Sequence, residues 1–208
     1  MSMQMRSFGA AAVVASAVLV SASAQAGVLT FTQQFVWQVY ANSQGAAIAN
    51  ENFNSFADGF YASPFSGTTG PVNWTATSSG GIFLQSGQVS TNTATSLTFS
   101  FGPDVRAIGG NFYATDFDFN VIPSVVTVNL TNGTSYAATV NSSSAFIGFY
   151  GTDALITSLT ISAVPSSGTA AVYPTMDNIQ FGILPIPAPG AMAVLAAGSA
   201  LGLRRRRR

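Results

Sequence analysis

Val125-Val126-Thr127-Val128-Asn129-Leu130, then Thr131-Asn132-Gly133-Thr134, then Ser135-Tyr136-Ala137-Ala138-Thr139-Val140: this stretch decides the fold class. Two short runs rich in Val and Thr flank an Asn-Gly pair. Branching at Cβ stiffens χ1 and suits a pleated, half-buried surface better than a helix. Asn-Gly tolerates the positive φ angles of a type I′ turn, so the segment predicts a β-hairpin.

Working outward, the same texture continues. Strands are predicted at Thr30–Tyr40, with Phe31, Phe35, Trp37 and Val39 on one face, and at Asn73–Thr77, Ile82–Gln85 and Ser96–Phe101. Leu97, Phe99 and Phe101 alternate with Thr98 and Ser100, the period of a half-buried strand. Val105–Tyr113 is interrupted by Gly109-Gly110, which marks a bulge or a close crossing. Phe146–Tyr150, Ile156–Ala163 and Asp177–Gly182 complete the set. Between Tyr40 and Phe56, Ala46–Ala49 suggests one or two helical turns. About nine short strands without a long helical pattern predict an all-β protein, a jelly-roll-like two-sheet sandwich. Trp37, Phe99, Phe101, Phe112, Phe146 and Phe149 are the expected core aromatics.

Both ends are of a different kind. Arg6, the apolar run Phe8–Val20 and the small residues Ala24 and Ala26 before Gly27 make residues 1–26 a secretory signal peptide with cleavage ahead of Gly27. Residues 185–208 hold a proline cluster, the apolar run Ala191–Leu203 and five arginines, Arg204, Arg205, Arg206, Arg207 and Arg208. A helix over that apolar run would be roughly 20 Å long at ~1.5 Å per residue, short of the ~30 Å hydrocarbon core. Such a short C-terminal apolar helix makes a temporary stop in the membrane, with the arginines held on the cytoplasmic side as the stop-transfer signal. The order of these parts resembles the PEP-CTERM sorting signal of Gram-negative bacteria. The motif position reads Pro187-Ala188-Pro189-Gly190, with alanine where the family carries glutamate. The resemblance implies export machinery and an exosortase-type processing enzyme as partners, transient membrane tethering, and release to the outer surface or matrix. It leaves one domain, residues 27–184, as the passenger.

Composition narrows what that domain does. Six of the seven basic residues lie in the two ends, so the domain holds one cation, Arg106, against Glu51, Asp58, Asp104, Asp116, Asp118, Asp153 and Asp177, a net charge of −6. One cation cannot neutralise a phosphate backbone, which excludes nucleic acid as a partner. No cysteine is present to form a disulfide. The absence of histidine removes Ser-His-Asp and Cys-His catalysis and histidine metal sites.

Four constellations carry chemistry. Glu51 near the start and Asp177 near the end would come together if the first and last strands were neighbours, as oxygen ligands of a structural calcium. The domain also resembles the β-sandwich modules that precede PEP-CTERM tails, whose endings are similar to Ile156–Ile161 followed by Asp177-Asn178-Ile179-Gln180-Phe181. Some galactose-binding-like sandwiches of that kind hold calcium through an early Glu and a late Asp. The alternative is that Asp177 and Asn178 cap a turn. Asp116 and Asp118, two apart, would share a strand face as an acid pair, or mark a solvated strand end beside Asn120. Asp104 and Arg106 would pair on one face. Trp37, Tyr40, Tyr61, Trp74, Tyr113, Tyr136, Tyr150 and Tyr173 are candidates for stacking on sugars, against a core role for most of them. The leading expectation is a non-enzymatic exported β-sandwich with a structural or adhesive role. The alternative is a carbohydrate-binding module for exopolysaccharide.

Overall fold

The computed structural model describes residues 27–102 and 104–184. The predicted signal peptide and sorting tail lie outside these residues. In chain order come β1 (Val28–Phe31), α1 (Gln34–Ser43), β2 (Ala47–Glu51), β3 (Gly59–Tyr61), β4 (Phe65–Thr69), β5 (Val72–Thr77), β6 (Ile82–Gln85) and β7 (Gln88–Thr91). Then follow β8 (Leu97–Phe101), β9 (Val105–Thr115), β10 (Ser124–Leu130), β11 (Ser135–Val140), β12 (Phe146–Gly151), β13 (Ser158–Pro165) and β14 (Tyr173–Ile183). The protein is mostly β, as the sequence predicts, and its strands form two sheets.

The larger sheet runs β1-β12-β9-β14-β7-β6-β3, and the smaller runs β11-β10-β13-β8-β5-β4. Every pairing is antiparallel. β14 is the hub of the larger sheet. One edge pairs with β9, while the other pairs first with β7 at Thr175 and Met176 and then with β2 from Ile179 to Ile183. The inner faces enclose Trp74, stacked on Phe99 (ring centroids 5.3 Å apart) with Phe53 edge-on at 5.4 Å, and Phe181 also stacks on Phe99, at 6.1 Å. A smaller apolar cluster of Phe31, Trp37, Ala41, Ala107, Phe146 and Tyr150 lies beneath α1. All six expected core aromatics are buried.

α1 overturns the expected strand over Thr30–Tyr40. Only β1, through Phe31, is extended. Trp37 and Ala41, four apart, are both fully buried, whereas Phe35 and Val39 are exposed. That is helical spacing, not alternation. Trp37 also finds a buried acceptor, its Nε1–H donating to the Phe149 carbonyl at 3.0 Å. The helix stops in a Schellman motif: Gly45 takes φ +82°, Ala46 N–H donates to Ala41 C=O and Gly45 N–H to Asn42 C=O. The helical turn expected at Ala46–Ala49 is instead the start of β2, drawn into extended pairing by β14. β3, β4 and β7, also not expected, are short and carry few apolar residues.

The β10–β11 hairpin forms, but with a different turn. Gly133 N–H donates to Leu130 C=O, and Leu130 N–H to Thr134 C=O. Gly133 is at φ +86°, while Asn132 is not among the positive-φ residues. This is a turn with a glycine bulge, which leaves Asn132 free to accept the Thr134 N–H on its side-chain oxygen at 3.0 Å. The type I′ pattern, positive φ at both central residues, occurs instead at Ser86-Gly87 between β6 and β7.

Gly109-Gly110 mark a close crossing. A Cβ on Gly109 would sit 2.6 Å from the Phe146 ring, and one on Gly110 2.5 Å from Ile179 Cδ1. The bulge is on the neighbouring strand: Asp177 pairs with Asn111 and Gln180 with Gly109, so β14 carries one extra residue, with Asn178 at φ +50°.

Candidate functional site: an aromatic groove on the larger sheet

The groove is built where β6, β7, the end of β9 and the start of β14 meet. On β6, Ile82 and Leu84 are buried in the core, so Phe83 and Gln85 alternate to the outer face. Ser90 of β7 lies opposite Phe83, and Thr175 of β14 lies opposite Ser90. These hydroxyls are bonded to one another: Thr175 Oγ1 donates to Ser90 Oγ at 2.9 Å, and Thr115 and Thr175 share a bond of 3.0 Å. The floor is thus polar in composition but internally satisfied.

One wall is a turn. β9 ends at Thr115, and Asp116 Oδ1 accepts the N–H groups of Asp118 (2.9 Å) and Asn120 (2.8 Å), while Oδ2 accepts Asn120 Nδ2 at 3.0 Å. The Asn120 side chain, followed by these backbone donors, holds the Asp116 carboxyl below its ordinary range. The wrap leaves Phe117 76% exposed and puts Phe119 at φ +63° with its ring 5.9 Å from that of Phe83. Phe117, Phe83 and the half-buried Tyr173 bring aromatic surface to the cavity, Gln85 and Asn92 bring amides, and Asp118 an exposed carboxylate. The cavity measures about 230 Å³.

Tyr173, Asp116 and Asp118 are among the residues that the sequence singles out; Phe83, Gln85, Asn92 and Phe119 are not. Their assembly needs the β6–β7 hairpin, which rests on two short strands. Asp116 and Asp118 do not share a strand face. They belong to a turn whose backbone takes up Asp116, in line with the solvated strand end.

The other predicted residues lie elsewhere. The first strand, β1, pairs with β12 and not with the last; Glu51 and Asp177 nonetheless stand on neighbouring strands, β2 and β14, but on opposite faces. Glu51 pairs opposite Ile179 and points into the core, where Oε1 accepts the Phe53 N–H at 2.7 Å and Oε2 accepts the Thr69 hydroxyl. The bulge at Asn178 shifts the alternation, so Met176 and Ile179 both face inward while Asp177 faces outward. There Asp177 accepts the Asn178 N–H at 2.6 Å, and partial burial raises its pKa. The two carboxylates therefore do not converge on a shared ion. Among the described residues no three His, Cys, Asp or Glu side chains group as metal ligands.

Asp104 and Arg106 do not share a face either. Asp104 precedes β9 at φ +80°. Arg106 donates from one guanidinium nitrogen to the carbonyls of Thr152 (2.8 Å) and Gly151 (3.4 Å). Of the aromatic candidates, Trp37, Trp74, Tyr113 and Tyr150 are buried. Tyr113 donates to Gln88 Oε1 at 2.9 Å, and burial, with Asp177 nearby, pushes its pKa up. Tyr40 packs against Phe31 and Tyr150, and Tyr61 against Phe65. Tyr136 is half-buried against the core.

Compared with known proteins, the chain matches no family model, no curated protein and no solved structure. Among the described residues no helix is long and apolar enough to cross a membrane.

Proposed function

We propose that this chain is an exported, non-enzymatic β-sandwich protein, delivered to the cell surface or extracellular matrix by a PEP-CTERM-like tail, with a structural or adhesive role there. The observation that carries the reading is the ordered ending, Pro187-Ala188-Pro189-Gly190, Ala191–Leu203 and Arg204–Arg208, paired with Arg6, the apolar run Phe8–Val20 and the small residues Ala24 and Ala26 ahead of Gly27. The domain's low charge supports it, because solubility then rests on hydroxyls and amides suited to a crowded matrix.

β11 supports the structural role. It is an edge strand of the smaller sheet, and its six residues, Ser135–Val140, include no charge and no proline. Edge strands of soluble proteins are commonly guarded by such residues, and an unguarded edge accepts another strand. The finer assignment of the sandwich as a jelly roll draws support from β2 lying against β14, an early strand beside the last.

The test is intact-mass measurement of the protein recovered from the surface fraction of its native host. The expected product begins at Gly27 and lacks the arginines. Replacing Arg204–Arg208 with serine is expected to abolish processing and retention. A full-length product in the cytosol, or a variant indistinguishable from wild type in size and place, would overturn the proposal.

A further inference from the structure

We propose that the groove bounded by Phe83, Phe117 and Tyr173 is a binding site for uncharged polysaccharide. The inference does not depend on how the chain is delivered.

A pyranose ring presents an apolar C–H face and a rim of hydroxyls. The groove offers the matching pair of surfaces: aromatic rings on its walls, and the amides of Gln85 and Asn92 with the Asp118 carboxylate at its edge. Phe117 is the decisive residue. A phenylalanine that is 76% exposed at a turn contributes little to folding. The turn that carries it is nonetheless held by three hydrogen bonds that Asp118 and Asn120 donate to the Asp116 carboxylate. Phe119 in the same turn holds a left-handed backbone, a conformation a bulky residue keeps only when its surroundings impose it.

The chemistry of the groove selects among occupants. An extended peptide adding to a sheet needs unpaired backbone N–H and C=O groups. Here the floor is the face of a sheet whose strands are already paired, and its hydroxyls bond each other. The unpartnered Thr91 hydroxyl is no exception, because Thr91 alternates with Ser90 and points inward with Val89. An anionic chain is disfavoured by Asp116 and Asp118. The domain's one cation, Arg106, lies near the other end of β9 and is held by the carbonyls of Gly151 and Thr152. Neutral hydroxylated chains remain.

The test is affinity electrophoresis of the full-length chain in mild detergent, through gels containing a neutral β-glucan, a neutral α-glucan, a neutral galactan, a polyuronate or a polyaminosugar. We expect retardation by at least one neutral polymer, little affected by salt, and none by the polyuronate. Phe117→Ala is expected to weaken retardation about ten-fold, the equivalent of ~1.4 kcal/mol of aromatic contact. Phe35→Ala, an equally exposed change on α1, is expected to leave it unchanged. Three results would each overturn the proposal: no retardation by any neutral polymer, retardation of Phe117→Ala equal to wild type, or binding confined to a charged polymer and abolished by salt.

Discussion

Glu51 gives the sharpest test of how the two sheets are held in register. It ends β2 in the larger sheet and is 8% exposed. Its carboxylate takes the Phe53 N–H at 2.7 Å and the hydroxyl of Thr69, on β4 of the smaller sheet. Thr69 Oγ1 in turn accepts Trp74 Nε1–H at 3.0 Å. Phe53, at φ +54°, needs that hold on its N–H to place its ring against Trp74 and Phe99. Glu51→Ala strands two buried donors, the Phe53 N–H and the Thr69 hydroxyl. At ~1–3 kcal/mol for each unsatisfied group, the expected loss is about 4 kcal/mol. Glu51→Gln keeps one acceptor oxygen for Phe53 but turns an NH₂ toward Thr69, so only the hydroxyl loses its acceptor and the loss is about 1–2 kcal/mol. Urea unfolding at unchanged m-value reads both. If both variants fall within ~0.5 kcal/mol of wild type, which is the scatter of ordinary surface changes, the network does not hold the sheets and the reasoning fails. It fails equally if calcium raises the wild-type midpoint and not that of Glu51→Ala, which would make the carboxylate a metal ligand.

Three further outcomes are expected. Gly67 lies opposite Trp74 across β4 and β5, and a Cβ there would meet the indole at 2.3 Å, so Gly67→Ala is expected to destabilise by about 1–3 kcal/mol; denaturation at wild-type urea concentrations would contradict this. Burial raises the Asp177 pKa in the fold, so the native state holds its proton longer than the unfolded chain, and stability falls as pH rises from the ordinary carboxylate range through the raised value. Asp177→Asn keeps an acceptor for the Asn178 N–H and is expected to remove that fall, leaving the variant more stable than wild type at neutral pH; a variant–wild-type difference independent of pH would refute it. Ala137→Lys on the edge strand β11 is expected to suppress self-association in sedimentation without altering the unfolding midpoint by more than ~0.5 kcal/mol. Unchanged sedimentation would argue against strand addition at that edge.

The β character was legible because it rests on local chemistry: Val, Thr and aromatic runs punctuated by Gly and Asn. β5, β6, β8 and β10–β12 fall within a residue or two of where these signals place them. The failures share a cause. Phe31, Phe35, Trp37 and Val39 alternate well enough for a strand, but the partner that decides the matter is distant: the Phe149 carbonyl that receives the Trp37 indole, 112 residues away. β2 likewise became a strand because β14 offers it an edge. At the candidate site, Asp116 and Asp118 were visible as residue types, but the turn that takes up one of them was not. The opposite facing of Glu51 and Asp177 hangs on one extra residue at Asn178, a phase change that composition does not announce.

β14 also sets a direction. It begins at Tyr173, in the groove, and ends at Ile183, one residue before Leu184. Its eleven residues, at ~3.3 Å each, hold those points roughly 30 Å apart. Residues 185–208 continue from the Leu184 end. A hold on the chain at Leu184 is therefore a hold on one end of β14, and the groove lies at the other.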